Sequence, residues 1–247
     1  MSGRPRSPEE LRTELVRLGP PELLGDWLDY RAWGLGDEHV PALLTFLDDA
    51  DTLDPIEGDA VSGVPVHAWR ALAQLGCAET LPCLLRLIDR SDDNDFFTED
   101  LPPAVALVGV PAFDPLADRV RNRSLGVFAR AVAATALVHL CRVFPADRSR
   151  TGEFIAQTLS DPRETDPVLL GLLVSDLIAL DGVEWAFHIK AALASGRVSA
   201  WHCGDWEDVQ VDLGLLDRRR TPPQFYVLEW VDVCDLPLED DEPGPAS

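Results

Sequence analysis

The chain has 247 residues, 46% of them apolar, an ordinary share for a folded protein and too high for a disordered one. Its formal charge of −22 repels phosphate backbones and anionic headgroups, which argues against binding nucleic acid or a membrane surface directly and favours a basic partner. No run of roughly 18 apolar residues occurs and the first residues lack the apolar centre of a secretory leader, so a cytoplasmic protein is expected.

Ser7 followed by Pro8-Glu9-Glu10 supplies the N-cap, first-turn proline and early carboxylates of a helix that should run to about Leu18. A second helix is expected from about Pro21 to Tyr30, carrying Leu23, Leu24, Trp27 and Leu28, and a third from His39 to Leu47. The Gly, Asp and Pro residues between Asp54 and Pro65 read as a loop. Ala68, Ala71, Leu72 and Leu75 then recur at the helical period before Gly76, the residue a chain needs where it leaves a helix with positive φ. A second stripe follows in Ala78, Leu81, Leu84, Leu85 and Ile88. Asp100 reads as the next N-cap with Pro102 in the first turn. After Gly109 the stripe restarts with Val110, Phe113, Leu116 and Ala117, about 33 residues after the first copy.

The longest helix is predicted from Gly126 to Val143, with Phe128, Val132, Thr135, Ala136 and Leu140 on its buried face, and its partner from Ser149 to Leu159. Pro167 to Leu180 and Val183 to Ala194 form a further pair hinged at Asp181-Gly182, 73 residues after Gly109. A last short helix, Trp206 to Leu215, precedes Arg218-Arg219-Arg220, expected to lie near its C-terminal dipole or to meet the acidic tail. Phe225 to Val233 alternates weakly, as an extended segment would. Each helix pair alone has too little apolar area to be stable, so neighbours must stack. The fold expected is all-α, an α-solenoid of stacked antiparallel helix pairs. It occupies residues 1–216 as one domain, with a C-terminal extension over 217–238 packed on the last hairpin and a disordered acidic tail over 239–247.

Units ending as Ala71-Leu-Ala-Gln-Leu-Gly76 does resemble HEAT-type repeats, over roughly residues 37–216. Val66-His-Ala-Trp-Arg-Ala-Leu72, Thr98-Glu-Asp-Leu-Pro102, Ser175-Asp-Leu177 and Gly204-Asp-Trp-Glu-Asp-Val-Gln210 together are similar to an uncharacterised bacterial family of HEAT-like proteins. The resemblance implies the fold and no activity. Some relatives carry a C-terminal SEC-C zinc motif, for which this chain has no cysteine cluster. Its five cysteines are scattered without a Cys-x-x-Cys pair and read as reduced thiols. Arginine almost replaces lysine, Lys190 being the one lysine, and with abundant Ala, Pro and Gly this suggests a GC-rich bacterial genome.

Trp201-His-Cys-Gly-Asp-Trp-Glu-Asp-Val-Gln210 is the most unusual local stretch. Asp205 can cap a helix there, with Glu207 and Asp208 near the positive end of the dipole. In the other reading Asp205, Glu207 and Asp208 line a concave face with Trp201 and Trp206, an acidic and aromatic patch for an arginine-rich segment. Asp92, Asp93, Asp95, Glu99 and Asp100 form a second concentration, read as a solvated loop because the ligand order and central Gly of an EF-hand are absent. Trp27, Trp69, Phe128 and Trp185 lie at helical spacing and read as core.

The expected function is a non-enzymatic scaffold, without cofactor, whose acidic concave groove binds a basic protein or peptide through Asp100, Asp176, Asp205, Trp206, Glu207 and Asp208. The alternative is a metal-dependent enzyme or accessory using His67, Glu99, Asp100, Asp176 and His202. A third reading is an acidic nucleic-acid mimic with carboxylates spaced like phosphates. The His-Glu dyads of di-iron HEAT proteins and the positive groove of HEAT-like DNA-repair enzymes are both missing.

Overall fold

The computed structural model of the chain describes residues 7–223, apart from 24, 49–54, 93, 110 and 111. Eleven α-helices lie among them: α1 Pro8–Leu18, α2 Val40–Asp48, α3 Val64–Leu75, α4 Leu81–Ile88, α5 Asp95–Val108, α6 Phe113–Arg121, α7 Val127–Val143, α8 Arg148–Ser160, α9 Pro167–Ala179, α10 Ala186–Ala194 and α11 Trp206–Asp212. No strand occurs among the described residues. Val110, Asp93, Cys234, the extended segment expected at Phe225–Val233 and the tail fall outside them.

Local chemistry sets most boundaries. Ser7 and Glu10 close a capping box on α1, Asp166 accepts from the amides of Val168 and Leu169 at the start of α9, and Gly76 ends α3 at φ 65°. At the Asp181-Gly182 hinge the left-handed residue is Asp181, with φ 52°, and not the glycine. Gly182 is needed for proximity instead, because a Cβ there would lie 2.4 Å from the Leu177 carbonyl oxygen.

Two expectations fail for identifiable reasons. Among the described residues of 21–30 there is no helix but a strap laid across α3, in which one backbone bond, from the Gly25 amide to the Glu22 carbonyl, is internal and the carbonyls of Glu22 and Leu28 and the amide of Tyr30 bond to α3 side chains. Gln74 Oε1 accepts from the Tyr30 amide at 2.9 Å and Gln74 Nε2 donates to the Leu28 carbonyl at 2.8 Å. Arg31 donates in return to the terminal α3 carbonyls of Gln74 and Leu75 at 2.9 and 3.0 Å. The second failure is Asp100, which does not begin α5. Asn94 caps that helix through the Phe96 amide, and burial of Phe96, Phe97 and Leu101 carries it through Pro102 and Pro103 despite their missing donors.

The helices α3, α5, α7 and α9 touch in succession, while α2 packs on α3 and α4, α6 on α7, and α8 on α9 and α10. One apolar core runs from Leu11 to Leu213 through all of these contacts. At its middle, α7 is buried on nearly every side from Ala129 to Cys141, so it lacks the single apolar stripe expected of it, and Phe128 is 40% exposed. Trp69 and Trp185 are core and Trp27 is partly buried against it.

Several of the polar contacts between distant helices and loops fall 30–37 residues apart. Arg70 meets Asp100 and Arg119 meets Asp89 at 30 residues' separation. Arg148 donates to the Leu180 carbonyl at 32, Arg197 to the Glu164 carbonyl at 33, and Arg130 pairs with Glu164 at 34. Asp92, expected in a solvated loop, accepts from the Phe128 and Ala129 amides at 36 and 37 and so caps α7 from the turn after α4. A Cβ on Gly126 would sit 1.9 Å from that carboxylate. Asp92→Ala should therefore cost about 1 kcal/mol of stability. Gly126→Ala, by expelling the carboxylate, should cost a similar amount, and the double variant little more than either, as urea unfolding will measure. Additive losses would show that the two do not share this contact.

Candidate functional site

Asp100 lies on α5 with 3% exposure, turned toward α3. It accepts from Trp69 Nε1 at 2.8 Å and pairs with both faces of the Arg70 fork, Nε at 2.6 Å and Nη2 at 2.8 Å. Arg70 also donates to the Glu22 carbonyl at 2.9 Å and lies 5.3 Å from the Trp27 ring centroid. Beside it His67 uses both ring nitrogens. The Gly19 carbonyl can only accept, so Nε2 carries the proton at 3.0 Å and Nδ1 accepts from the Tyr30 hydroxyl at 2.6 Å. Burial pushes the His67 pKa down, keeping the ring neutral at pH 7. These residues fasten the strap, α3 and α5 together and offer nothing to solvent or metal.

Asp176, on α9, is also inside the protein, with 5% exposure. Thr135 Oγ1 donates to its Oδ1 at 3.0 Å, and its buried Oδ2 has no hydrogen-bond partner. Burial raises its pKa to about 7, against which the threonine hydrogen bond works only in part.

The 205–208 region adopts the capping arrangement. Asp205 Oδ1 accepts from the amides of Glu207 and Asp208, and Asp208 returns a bond to the Asp205 amide at 2.9 Å. Arg219 then folds back onto this helix start, contrary to the expectation that the arginine run would lie at the C-terminal end. It donates to Asp205 Oδ1 and Oδ2 at 2.8 Å each and pairs with Asp208. Glu207 accepts from the Thr221 amide at 3.0 Å and hydroxyl at 2.6 Å. The Arg219 contacts pull the Asp205 pKa below the ordinary carboxylate range. Trp206 is partly buried, 5.6 Å from Lys190 Nζ, and Trp201 is 67% exposed.

The expected contacts are thus separated and internally engaged. Asp100 and Asp176 sit in different interhelical contacts, and Asp205, Glu207 and Asp208 hold residues 219–221. Glu99 is exposed on α5, its pKa raised by partial burial and by Asp95 and Asp100. The His202 carbonyl accepts from Ser175 Oγ at 2.7 Å. Among the described residues no group of three or more His, Cys, Asp and Glu is placed to hold a metal ion. The thiol of Cys203 is buried with its pKa raised to about 11, which removes nucleophilic character.

Two features escaped the motif reading. Charge is segregated along the chain: residues 7–60 carry 14 carboxylates against 3 arginines, whereas residues 61–223 carry 22 against 16 basic residues. Regional counting would have found it. The other is a cleft of about 560 Å³ beside the C-terminal ends of α6 and α8, lined by Arg121, Arg123, Arg130 and Arg163. No sequence motif gathers these arginines; the fold does.

Two measurements test the buried carboxylates. Arg70→Met leaves the Asp100 carboxylate with one indole donor and should cost about 3–5 kcal/mol, part of which Arg70→Met/Asp100→Leu recovers in urea unfolding. For Asp176 the folded pKa of about 7 exceeds the ordinary aspartate value of 3.8, so the folded state holds a proton that the unfolded chain has lost between these pH values. Its contribution to stability therefore falls as pH rises through that window and levels off above it. Asp176→Asn should gain on the wild type by about 1–3 kcal/mol between pH 5 and pH 8. Parallel stability curves would refute the raised pKa.

Comparison with known protein families, with curated proteins and with solved structures gives no match to this chain.

Proposed function

We propose that the protein is a non-enzymatic, cytoplasmic interaction scaffold, an α-solenoid of the HEAT-like kind, whose acidic N-terminal region recruits a basic protein segment. Support for the solenoid comes from the succession of α3, α5, α7 and α9, and from several polar contacts 30–37 residues apart, a spacing that stacked units of about that size would give. No helix among the described residues is long and apolar enough to cross a membrane.

The observation that carries the partner's chemistry is the segregation of charge. Arginines offset most of the carboxylates of residues 61–223 and tie units together, while residues 7–60 keep a net charge of −11. Glu22, Asp26, Glu38 and Glu57 are exposed there. Since Asp100, Asp176, Asp205, Glu207 and Asp208 are internally engaged, the contact surface is assigned to this region. Such a field raises the rate of encounter with a basic segment and weakens with salt.

The test is affinity capture from a native lysate at low and high salt, using the wild type and a variant carrying Glu22→Lys, Asp26→Lys, Glu38→Lys and Glu57→Lys. The wild type should retain a basic protein that high salt releases, and the variant should lose it at least tenfold. Equal retention by both would sink the reading.

A further inference from the structure

We propose that the arginine-lined cleft between the C-terminal ends of α6 and α8 binds a phosphoryl group, free or carried on a small molecule. Its volume of about 560 Å³ falls within the range of small-ligand sites, roughly 300–1,000 Å³. The walls come from the end of α6 and the turn after it, from α7 at Arg130, and from the last turns of α8 with the loop that follows.

Two of the four arginines close on the carboxylates of the cleft, although the Arg163 side chain is itself 79% exposed. Arg130 is buried, pairs with Glu164 and donates through Nε to the Val120 carbonyl at 2.9 Å. Arg163 clamps Asp161 through its backbone amide, Nε and Nη2 at 2.9, 3.0 and 2.9 Å. These contacts neutralise both carboxylates of the cleft. Burial raises the Glu164 carboxyl, but the Arg130 and backbone hydrogen bonds outweigh it and leave the pKa below its ordinary value. Asp161 is held low by Arg163.

Arg121 and Arg123 remain loosely held. Arg123 reaches Asp161 and Glu164 only at 3.5 and 3.7 Å, and Arg121 reaches Asp118 at 3.6 Å, with side chains 48% and 60% exposed respectively. Arg121 is nevertheless positioned, its guanidinium carbon 4.6 Å from the Phe154 ring centroid. The cleft thus presents two guanidinium groups with donors to spare over carboxylates that are already paired. A surplus of about two positive charges matches a phosphoryl group, which carries roughly −1.5 to −2 at pH 7 and accepts the planar fork bidentately.

The site is preorganised from outside. Arg197 donates to the Asp161 and Glu164 carbonyls at 3.3 and 2.9 Å and so fixes the loop that carries both carboxylates. A single phosphoryl group feels this local field, whereas a polynucleotide would also meet the negative charge of the rest of the molecule.

Titration calorimetry on the full chain with inorganic phosphate, a nucleoside monophosphate, the parent nucleoside and malonate tests the site. Saturable binding of one equivalent is expected for a phosphate-bearing probe, none for the nucleoside, and at least tenfold weaker binding for malonate. Tighter binding of the monophosphate assigns a carried phosphoryl group, and equal binding assigns free phosphate. Arg121→Gln/Arg123→Gln should weaken binding at least tenfold with the unfolding midpoint unchanged, while Arg218→Gln leaves it intact. Absence of saturable binding, malonate bound as well as phosphate, or indifference to Arg121→Gln/Arg123→Gln would overturn the proposal.

Discussion

A guanidinium held inside an otherwise apolar helix constrains the N-terminal half of the molecule. Every residue of α3 except Gln74 is buried, Arg70 included, and an ion there is tolerable only if its donors are met. Asp100 meets them from α5, and the Glu22 carbonyl meets them from the strap. One side chain thereby fixes the distance between α3 and α5 and the path of the chain before α2. The Tyr30–His67–Gly19 chain runs alongside it, so α3 holds the strap at Glu22, Leu28 and Tyr30 and the residue just before it at Gly19. Buried polar contacts of this kind specify position more than they add stability, because the wrong neighbour leaves them unmet.

The same logic explains why arginine so outnumbers lysine. Arg31, Arg119, Arg148 and Arg197 each donate to carbonyls at or near the end of a helix more than 30 residues away, at Leu75, Leu85, Leu180 and Leu159 respectively. Terminal carbonyls lack intrahelical partners, and a planar fork with several fixed donors satisfies two at once where an ammonium group would not. Residues 61–223 are thereby left at −6, against −11 over the much shorter span 7–60.

Helices built on local signals were legible. The predicted limits of α7, α8 and α9 lie within a residue of those observed, because caps, prolines and apolar spacing all act over a few positions. Contacts over 30 or more residues were not. Asp100 has the composition of an N-cap and Pro102 that of a first turn, yet the carboxylate belongs to Arg70. A lone arginine amid Trp69, Ala71 and Leu72 was the one available hint. The strap carries the apolar residues of a helix, yet its Leu28 carbonyl and Tyr30 amide bond to Gln74 of α3, a contact over more than 40 residues that local spacing does not encode. Nor does short-range spacing show that Arg219 closes on Asp205 and Asp208.

That closure has a topological result. By returning across fourteen positions to the beginning of α11, Arg219 and Thr221 make residues 205–221 a hairpin tied at its base. The polypeptide therefore leaves Thr221 beside the first turn of α11 and not beyond its last. A tether or label attached near Pro223 reports from the place where α11 starts, and its reach is measured from there.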